Sequence, residues 1–335
     1  MSRIGNLFVF AFVLVTASGL PALAGSYSSA VLLDNPVAYY RLDETTGTTA
    51  ANLGTAAGID GTYVNVPGIT VNNTSNYGQP GPRPAAFPGF ESGNNSAFFD
   101  PENGSVAAST TFPRVEVVAP NNPLAITGAL TLEAWIKRSA QVVDSGNNEG
   151  IVGRFRQDQD PVTAGLQQAR SYNLYFDSTT NPDNSTGTPG LGFALSAEGT
   201  FESPNNYEFA AAIPAGKWTH VAAVFDPGSR IEMYVNGVSI GERIDDDVVD
   251  TAADIQILAD PLFSGPSDFW IGQQFSGADE WSFEGNIDEV AVYASALSDA
   301  QILNHFQAAQ VPEPQNWHLA LIVGATLWVG RRARA

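Results

Sequence analysis

Cysteine is absent from the 335-residue sequence, and basic residues are scarce. Without a thiol the chain can form no disulfide, no thiolate zinc site and no cysteine nucleophile. The 15 Lys and Arg residues are outnumbered by 35 Asp and Glu residues, which gives a net charge of −20. Nucleic-acid binding by phosphate neutralisation needs a clustered excess of basic residues, so this composition excludes it.

Turn-forming and apolar residues are abundant instead. The chain contains 32 Gly and 21 Pro, with 44% hydrophobic and only 15% charged residues. The apolar content is sufficient for a folded core, and the glycine and proline content indicates many turns and few exposed helices. Together these features predict an all-β domain.

Residues 1–24 have the features of a secretory signal peptide. A short start containing Arg3 is followed by an apolar run over 7–15, and Ala22 and Ala24 form a small-residue cleavage site. We predict cleavage after Ala24. An uncleaved membrane anchor is the alternative, but the apolar run is short for one.

Residues 311–335 combine three features of a sorting segment. Pro312, Glu313 and Pro314 come first, and the apolar run 317–330 follows. As a helix, that run would rise about 21 Å, less than the roughly 30 Å of a hydrocarbon core. The chain then ends in a basic cluster formed by Arg331, Arg332 and Arg334.

This order resembles a PEP-CTERM sorting signal, which a membrane protease called an exosortase recognises. The resemblance implies a Gram-negative-type bacterium and a transient inner-membrane anchor formed by a C-terminal transmembrane helix. Cleavage and delivery to the cell surface or the extracellular matrix would follow. An ordinary C-terminal tail anchor would give the same topology without cleavage.

The central part, residues 25–310, carries the acidity. Arg3, Arg331, Arg332, Arg334 and Glu313 lie outside it, so 11 basic and 34 acidic residues remain, a net charge of −23. Acidity of this degree keeps a domain soluble and separated from other anions.

Sequence patterns within this part predict short antiparallel strands. Apolar residues alternate with Thr131 and Glu133 over 130–135, which is typical of a half-buried strand. Asn236-Gly237 between two β-prone runs indicates a hairpin. Only 298–307 has a helical pattern, with Ser298 as a candidate N-cap. We predict one jelly-roll β-sandwich of two antiparallel sheets and a single short C-terminal helix.

Six motifs occur in an order that resembles LamG-like jelly-roll domains of the concanavalin A-like lectin/glucanase superfamily. The resemblance covers roughly residues 27–308 and implies two curved antiparallel sheets packed face to face. The motifs are Tyr39-Tyr-Arg-Leu-Asp-Glu-Thr-Thr-Gly47, Leu130-Thr-Leu-Glu-Ala-Trp-Ile-Lys137, Trp218-Thr-His-Val-Ala-Ala-Val-Phe-Asp226, Tyr234-Val-Asn-Gly237, Trp270-Ile-Gly272 and Phe283-Glu-Gly-Asn-Ile-Asp-Glu-Val-Ala-Val-Tyr293.

We predict no catalytic residues. The superfamily includes glycoside hydrolases, but their Glu-x-Asp-x-x-Glu pattern is missing from this sequence. The three histidines are scattered, which does not suggest a zinc site. The expected role of His220, within a strand motif, is a hydrogen-bonded structural one.

Calcium is the metal that the resemblance implies, as a structural ion that joins an N-terminal loop to the last long strand. By position Asp288 would supply a carboxylate, with Asp43 and the loop Asp60-Gly61 as partners. Oxygen ligands of this kind suit calcium. The alternative is that Asp288 hydrogen-bonds a neighbouring strand.

One tryptophan is a candidate for stacking on a sugar. Trp281 lies in a turn-rich segment, where its neighbours Asp279 and Glu280 would accept hydrogen bonds from hydroxyl groups. Packing within a turn is the alternative role. The strand residues Trp135, Trp218 and Trp270 are expected in the core.

The leading hypothesis is therefore an exported, non-catalytic protein of the bacterial cell surface or matrix that binds carbohydrate or mediates adhesion. Its expected partners are an exosortase-type protease, an exopolysaccharide or other glycan, and the membrane before processing. A purely structural envelope protein and a polysaccharide hydrolase or lyase with an unrecognised site are the alternatives.

Overall fold

A computed structural model describes residues 27–64, 78–99, 113–118, 123–139, 148–158, 167–177, 189–200, 206–244, 258–274 and 282–312. The elements in chain order are α1 Tyr27–Leu33, β1 Ala38–Tyr40, β2 Thr49–Ala50, β3 Gly61–Val64, β4 Gln79–Pro80, β5 Asn95–Phe99, β6 Arg114–Val117, β7 Leu130–Arg138, β8 Asn148–Asp158, β9 Gln167–Asp177, β10 Gly190–Leu195, β11 Asn206–Ala210, β12 Thr219–Asp226, β13 Arg230–Val235, β14 Val238–Ile244, β15 Phe269–Ile271, β16 Gly285–Tyr293 and α2 Asp299–Gln310.

The strands form two sheets. The first sheet has the order β14-β13-β12-β7-β16-β5-β4, with β1 also paired to β16. The second has the order β11-β10-β9-β8-β15-β6-β3-β2. Every pairing between these strands is antiparallel. The prediction of an all-β fold of two antiparallel sheets is confirmed.

Strand β7 shows how the sheets form the core. Leu130, Leu132, Ala134 and Ile136 join the large apolar cluster between the two sheets, as the period-two pattern predicts. The prediction that this strand is half-buried is wrong. Thr131 and Glu133, on its other face, are also fully buried, because the helices cover that face.

The predicted hairpin and C-terminal helix are both present. Asn236 and Gly237 have φ values of 52° and 73°, as a tight turn between β13 and β14 requires. Ser298 caps α2 through a capping box with Gln301.

The prediction of a single helix is wrong, because α1 precedes the first strand. Its seven residues bury Tyr27, Ala30 and Val31. The helix has no acidic residue in its first turn and no basic residue in its last. Since so short a helix is marginal in isolation, packing stabilises it rather than intrinsic propensity.

A buried carboxylate ties both helices to the first sheet. Glu133 of β7 is fully buried. Its Oε1 lies 2.7 Å from Nε2 of His220 on β12 and accepts a 2.7 Å hydrogen bond from the Tyr27 hydroxyl of α1. Its Oε2 lies 2.8 Å from Nδ1 of His305 on α2 and 3.3 Å from the Tyr293 hydroxyl on β16. His220 therefore has the structural role expected of it.

The charged groups of this cluster shift one another's pKa values towards the ionised forms. Burial alone would raise the pKa of Glu133, but the charge of His305 and hydrogen bonds from both histidines lower it overall. Burial would lower the pKa of His305, but Glu133 and Asp34 raise it overall. Nε2 of His305 also lies 2.9 Å from the Asp34 carboxylate, immediately after α1. Glu133 and His305 thus form a buried ion pair in which both carboxylate oxygens and both ring nitrogens have hydrogen-bond partners.

Replacing Glu133 tests its role in the fold. We expect Glu133→Gln to lower the free energy of unfolding by about 3 kcal/mol, because two buried histidines lose their charged partner. Urea denaturation at pH 6 measures the change. The control is Glu91→Gln, whose side chain is 48% exposed and whose loss is expected to cost about 0.5 kcal/mol or less. Equal midpoints for the two variants would contradict this role.

Candidate functional site

The outer face of the first sheet is covered by other parts of the chain. Trp135, Tyr234 and Tyr293 on this face form an apolar cluster with residues of α1, α2 and the segment 87–90. The helices and this segment bury these three side chains on the outer face of β7, β13 and β16. The outer face of the second sheet is therefore the candidate site.

Strand β9 presents polar side chains on that face. Tyr172, Leu174 and Phe176 point into the core, so Asn173 and Tyr175 point to the outer side. The Tyr175 ring lies over Gly192 of β10, where an added Cβ would come within 1.9 Å of the ring. The Tyr175 hydroxyl lies 2.6 Å from Oδ1 of Asn206 and 2.9 Å from Oε1 of Glu208.

Next to Tyr175 lies a group that we call the amide cluster: Asn173, Gln273, Gln274 and Ser282. Nδ2 of Asn173 donates a hydrogen bond to Oε1 of Gln274. Gln273 forms an isolated bridge with Ser282. All four residues are at least nine-tenths buried. The cluster thus joins β9 to the chain that follows β15.

Several polar atoms of the amide cluster are unsatisfied. In the described part of the chain, Oδ1 of Asn173, Oε1 and Nε2 of Gln273 and Oγ of Ser282 have no hydrogen-bond partner. A buried donor or acceptor without a partner costs about 1–3 kcal/mol, so native proteins rarely keep several together. Hydroxyl groups, which both donate and accept, would satisfy amide oxygens and nitrogens alike.

Glycines make room for these side chains. An added Cβ on Gly150 of β8 would lie 2.6 Å from the backbone nitrogen of Gln274. An added Cβ on Gly153 would lie 2.7 Å from Oδ1 of Asn173. Both contacts are too short for any other residue without movement. The backbone of β8 therefore allows the amide cluster to lie directly against the sheet.

A carboxyl with an unusual pKa lies near the cluster. Glu149, adjacent to Gly150, is buried, and its carboxylate is 3.9 Å from the Arg138 guanidinium. Burial raises the pKa of Glu149 to about 7, although Arg138 acts in the opposite direction. Sequence reasoning missed this residue, since no local motif marks it.

The predicted sugar-stacking residues lie outside the described residues. Asp279, Glu280 and Trp281 belong to the segment 275–281, which connects Gln274 to Ser282. The amide cluster therefore lies at both ends of the segment that the sequence singled out. Sequence reasoning missed the cluster, although the pair Gln273-Gln274 directly follows the Trp270-Ile-Gly272 motif.

Asp288, the main predicted calcium ligand, is fully buried and already hydrogen-bonded. Its Oδ2 accepts from Nδ2 of Asn94 at 2.8 Å, and its Oδ1 accepts from the Glu289 N–H at 3.0 Å. Burial and the neighbouring Glu289 charge raise its pKa. This is the alternative role that the sequence left open. The Asn95 carbonyl and Oδ2 of Asp288 both lie 2.7 Å from the position of a Cβ on Gly81.

The other predicted calcium ligands have separate partners. The Asp43 carboxylate is 3.7 Å from Arg41, and its backbone carbonyl accepts from Asn95. Oδ1 of Asp60 accepts from the Asn52 N–H, and Gly61 faces Val115 on β6. No group of three or more His, Asp or Glu residues within the described ranges is placed to hold a metal. The structure therefore does not bring the four predicted ligands together.

Most targeting residues also lie outside the described residues. These are Ala22, Ala24, Glu313, Pro314, Arg331, Arg332 and Arg334, whereas Pro312 is the second residue after α2 and is described. Within the described ranges no helix is long and apolar enough to cross a bilayer. The targeting predictions remain predictions.

Comparison with solved structures gives distant similarities. A pentraxin from Limulus polyphemus is 19% identical, with 53% of this chain and 70% of the pentraxin covered and a TM-score of 0.36. Domain 4 of an arabinanase from Geobacillus stearothermophilus, solved with arabinotriose, is 15% identical over 82% of this chain and 98% of the domain, with a TM-score of 0.43.

The receptor-binding domain of a botulinum neurotoxin C/D mosaic serotype is 14% identical, with a TM-score of 0.45. The match covers 82% of this chain but only 51% of the neurotoxin domain, so this chain spans about half its length. Similarities this distant carry no argument about a ligand. Comparison with curated proteins gives no match.

A family model shows which protein family the chain belongs to, which the distant structural similarities do not. The laminin-G-3 model, described as the concanavalin A-like lectin/glucanases superfamily, matches residues 114–303. That range is more than half of the chain and contains the second to sixth of the sequence motifs. The chain therefore belongs to the laminin G-like family of the concanavalin A-like lectin/glucanase superfamily.

Proposed function

We propose that this protein is an exported, non-catalytic module that binds a glycan on the outer face of its second sheet. The observation that carries the proposal is the set of buried, unpartnered polar atoms on Asn173, Gln273 and Ser282. Sugars present closely spaced hydroxyl groups, which both donate and accept hydrogen bonds.

Export and sorting form the second part of the proposal. The signal sequence ending at Ala24 directs secretion, and residues 311–335 hold the chain in the inner membrane until an exosortase-type protease cleaves it. The domain then reaches the cell surface or extracellular matrix. The net charge of −23 over residues 25–310 suits a location where proteins must remain soluble.

Glycan binding is tested with two variants and a matched control. The full chain is titrated with exopolysaccharide from the producing bacterium and screened on a glycan array. We expect Gln273→Ala and Asn173→Ala to weaken binding about tenfold or more, since each removes groups that a hydroxyl would satisfy. Gln307→Ala, on the exposed side of α2, should leave affinity unchanged.

The outcomes separate the three functional classes. Binding that responds to Gln273 and Asn173 supports the module. No binding to any glycan, with calcium present, favours the purely structural envelope protein. Release of new reducing ends would favour a hydrolase, and Glu149, with a pKa of about 7, would then be the acid to replace first.

A structural calcium ion is a further part of the proposal. Asp288 and Glu289 are adjacent, fully buried carboxyls, and Arg41 is 3.1 Å from Glu289. A bound cation would replace the proton that burial favours on Asp288, with Asp288 and the Asn95 carbonyl as its ligands. Calcium supplies no chemistry here beyond that charge.

Thermal unfolding tests the calcium site. We expect calcium at about 100 times its dissociation constant to add about 2.7 kcal/mol of stability relative to chelator, with a rise in melting temperature. Asp288→Asn should abolish the difference, whereas Asp299→Asn on α2 should keep it. An identical midpoint for the unaltered chain in calcium and in chelator would refute the site.

Processing is tested by intact mass of the protein recovered from the bacterial surface. We expect the N-terminus to begin at Gly25 and the basic end, with Arg331, Arg332 and Arg334, to be missing. Changing Pro312, Glu313 and Pro314 to Ala should leave the C-terminus intact and the protein in the inner membrane. A surface protein that retains Ala335 would instead indicate an ordinary tail anchor.

A further inference from the structure

The two ends of the described domain meet at one glycine. The Tyr27 N–H, at the start of α1, donates a 3.1 Å hydrogen bond to the Gly89 carbonyl. The Gly89 N–H donates a 3.0 Å hydrogen bond to the Ala309 carbonyl in the last turn of α2. We call Tyr27, Gly89 and Ala309 the terminal junction. An added Cβ on Gly89 would lie 1.8 Å from the Ala308 carbonyl oxygen, so only glycine fits there.

The terminal junction limits how far the domain extends from the tail. The apolar run of the tail begins at Trp317, five residues after Pro312. Five residues span at most about 17–18 Å when fully extended. The junction, and the helix pair α1 and α2 that ends there, therefore stays close to any bilayer that holds the tail.

The helix pair has the surface suited to such a position. Of the seven large hydrophobic residues that are exposed in the described ranges, four lie on these helices or directly after α2: Leu32, Leu33, Leu303 and Val311. The other three, Leu53, Val118 and Val238, lie outside the two helices. Exposed apolar residues that collect on one element indicate a contact surface.

Charge points to the same conclusion. Helix α1 has no charged residue, and the only acidic residue of α2 is Asp299, whose carboxylate is 3.1 Å from Arg230. The Asp34 carboxylate, after α1, is beside His305. Elsewhere the domain is strongly acidic and would be repelled by anionic headgroups. The helix pair can approach anionic headgroups with less electrostatic repulsion than the rest of the domain.

We propose that the outer surface of the helix pair, formed by Leu32, Leu33, Leu303 and Val311, rests on the phospholipid bilayer while the tail is anchored. This inference depends on the proposed membrane anchor in residues 311–335. The apolar side chains enter the headgroup region, as in other helices that lie along a membrane. The second sheet, on the other side of the sandwich, then faces away from the lipid.

Single-cysteine labelling tests the surface without ambiguity, because the chain has no cysteine of its own. Leu33, at the end of α1 on the first sheet, and Val118, just after β6 of the second sheet, have closely matched exposure, 67% and 69%, and each is replaced by Cys. The full chain carrying a fluorophore at either position is reconstituted into vesicles of phosphatidylethanolamine and phosphatidylglycerol. Nitroxide-labelled lipid should quench the label at position 33 about threefold more than the label at position 118.

Vesicle flotation separates failure of this surface from failure of the anchor. Equal, weak quenching at both positions in chains that float with the vesicles overturns the lipid-facing surface but keeps the anchor. Chains that do not float overturn the anchor and the surface together. In a separate sample of Leu33→Cys left unlabelled and exposed to a mild oxidant, disulfide-linked dimers through position 33 would show that the surface binds a second copy, which also overturns the proposal. Circular dichroism confirms that each labelled variant is folded.

Discussion

A single buried charge controls the layout of this domain. The Glu133 carboxylate is out of reach of water and is stabilised only when donors from the sheet and from both helices surround it. Because those donors come from chain segments far apart in sequence, the charge fixes α1 and α2 over the first sheet. The first sheet becomes an inner layer, and the ligand surface that we propose lies on the second.

The two outer surfaces then differ in chemistry. Under the helices, the first sheet carries aromatic rings packed around Trp135. On the second sheet, Gly150, Gly153 and Gly192 leave space beside the backbone for neighbouring groups. The amide side chains lie against this backbone, and several of their polar atoms have no hydrogen-bond partner. Several neighbouring polar groups left without hydrogen-bond partners on this face depart from the general rule, at the position where we propose function.

Local patterns in the sequence predicted much of the fold. The alternation in β7, the Asn236-Gly237 turn and the Ser298 cap depend on neighbours within a few residues, so they are readable along the chain. The Glu133 cluster was not readable, because its partners are 87 to 172 positions away. Asn173 and Gln274 are likewise 101 positions apart. Helix α1 was missed because packing, rather than its own sequence, stabilises it.

The terminal junction also determines how this domain connects to others. Its first and last elements are both hydrogen-bonded to the backbone of Gly89, so the two ends of the domain lie close together. Such a domain can be inserted into a loop of another protein. It can also be circularly permuted, because its original N- and C-terminal elements stay together when new termini are made elsewhere. Copies joined in tandem would project outward from a common stem instead of extending in a line.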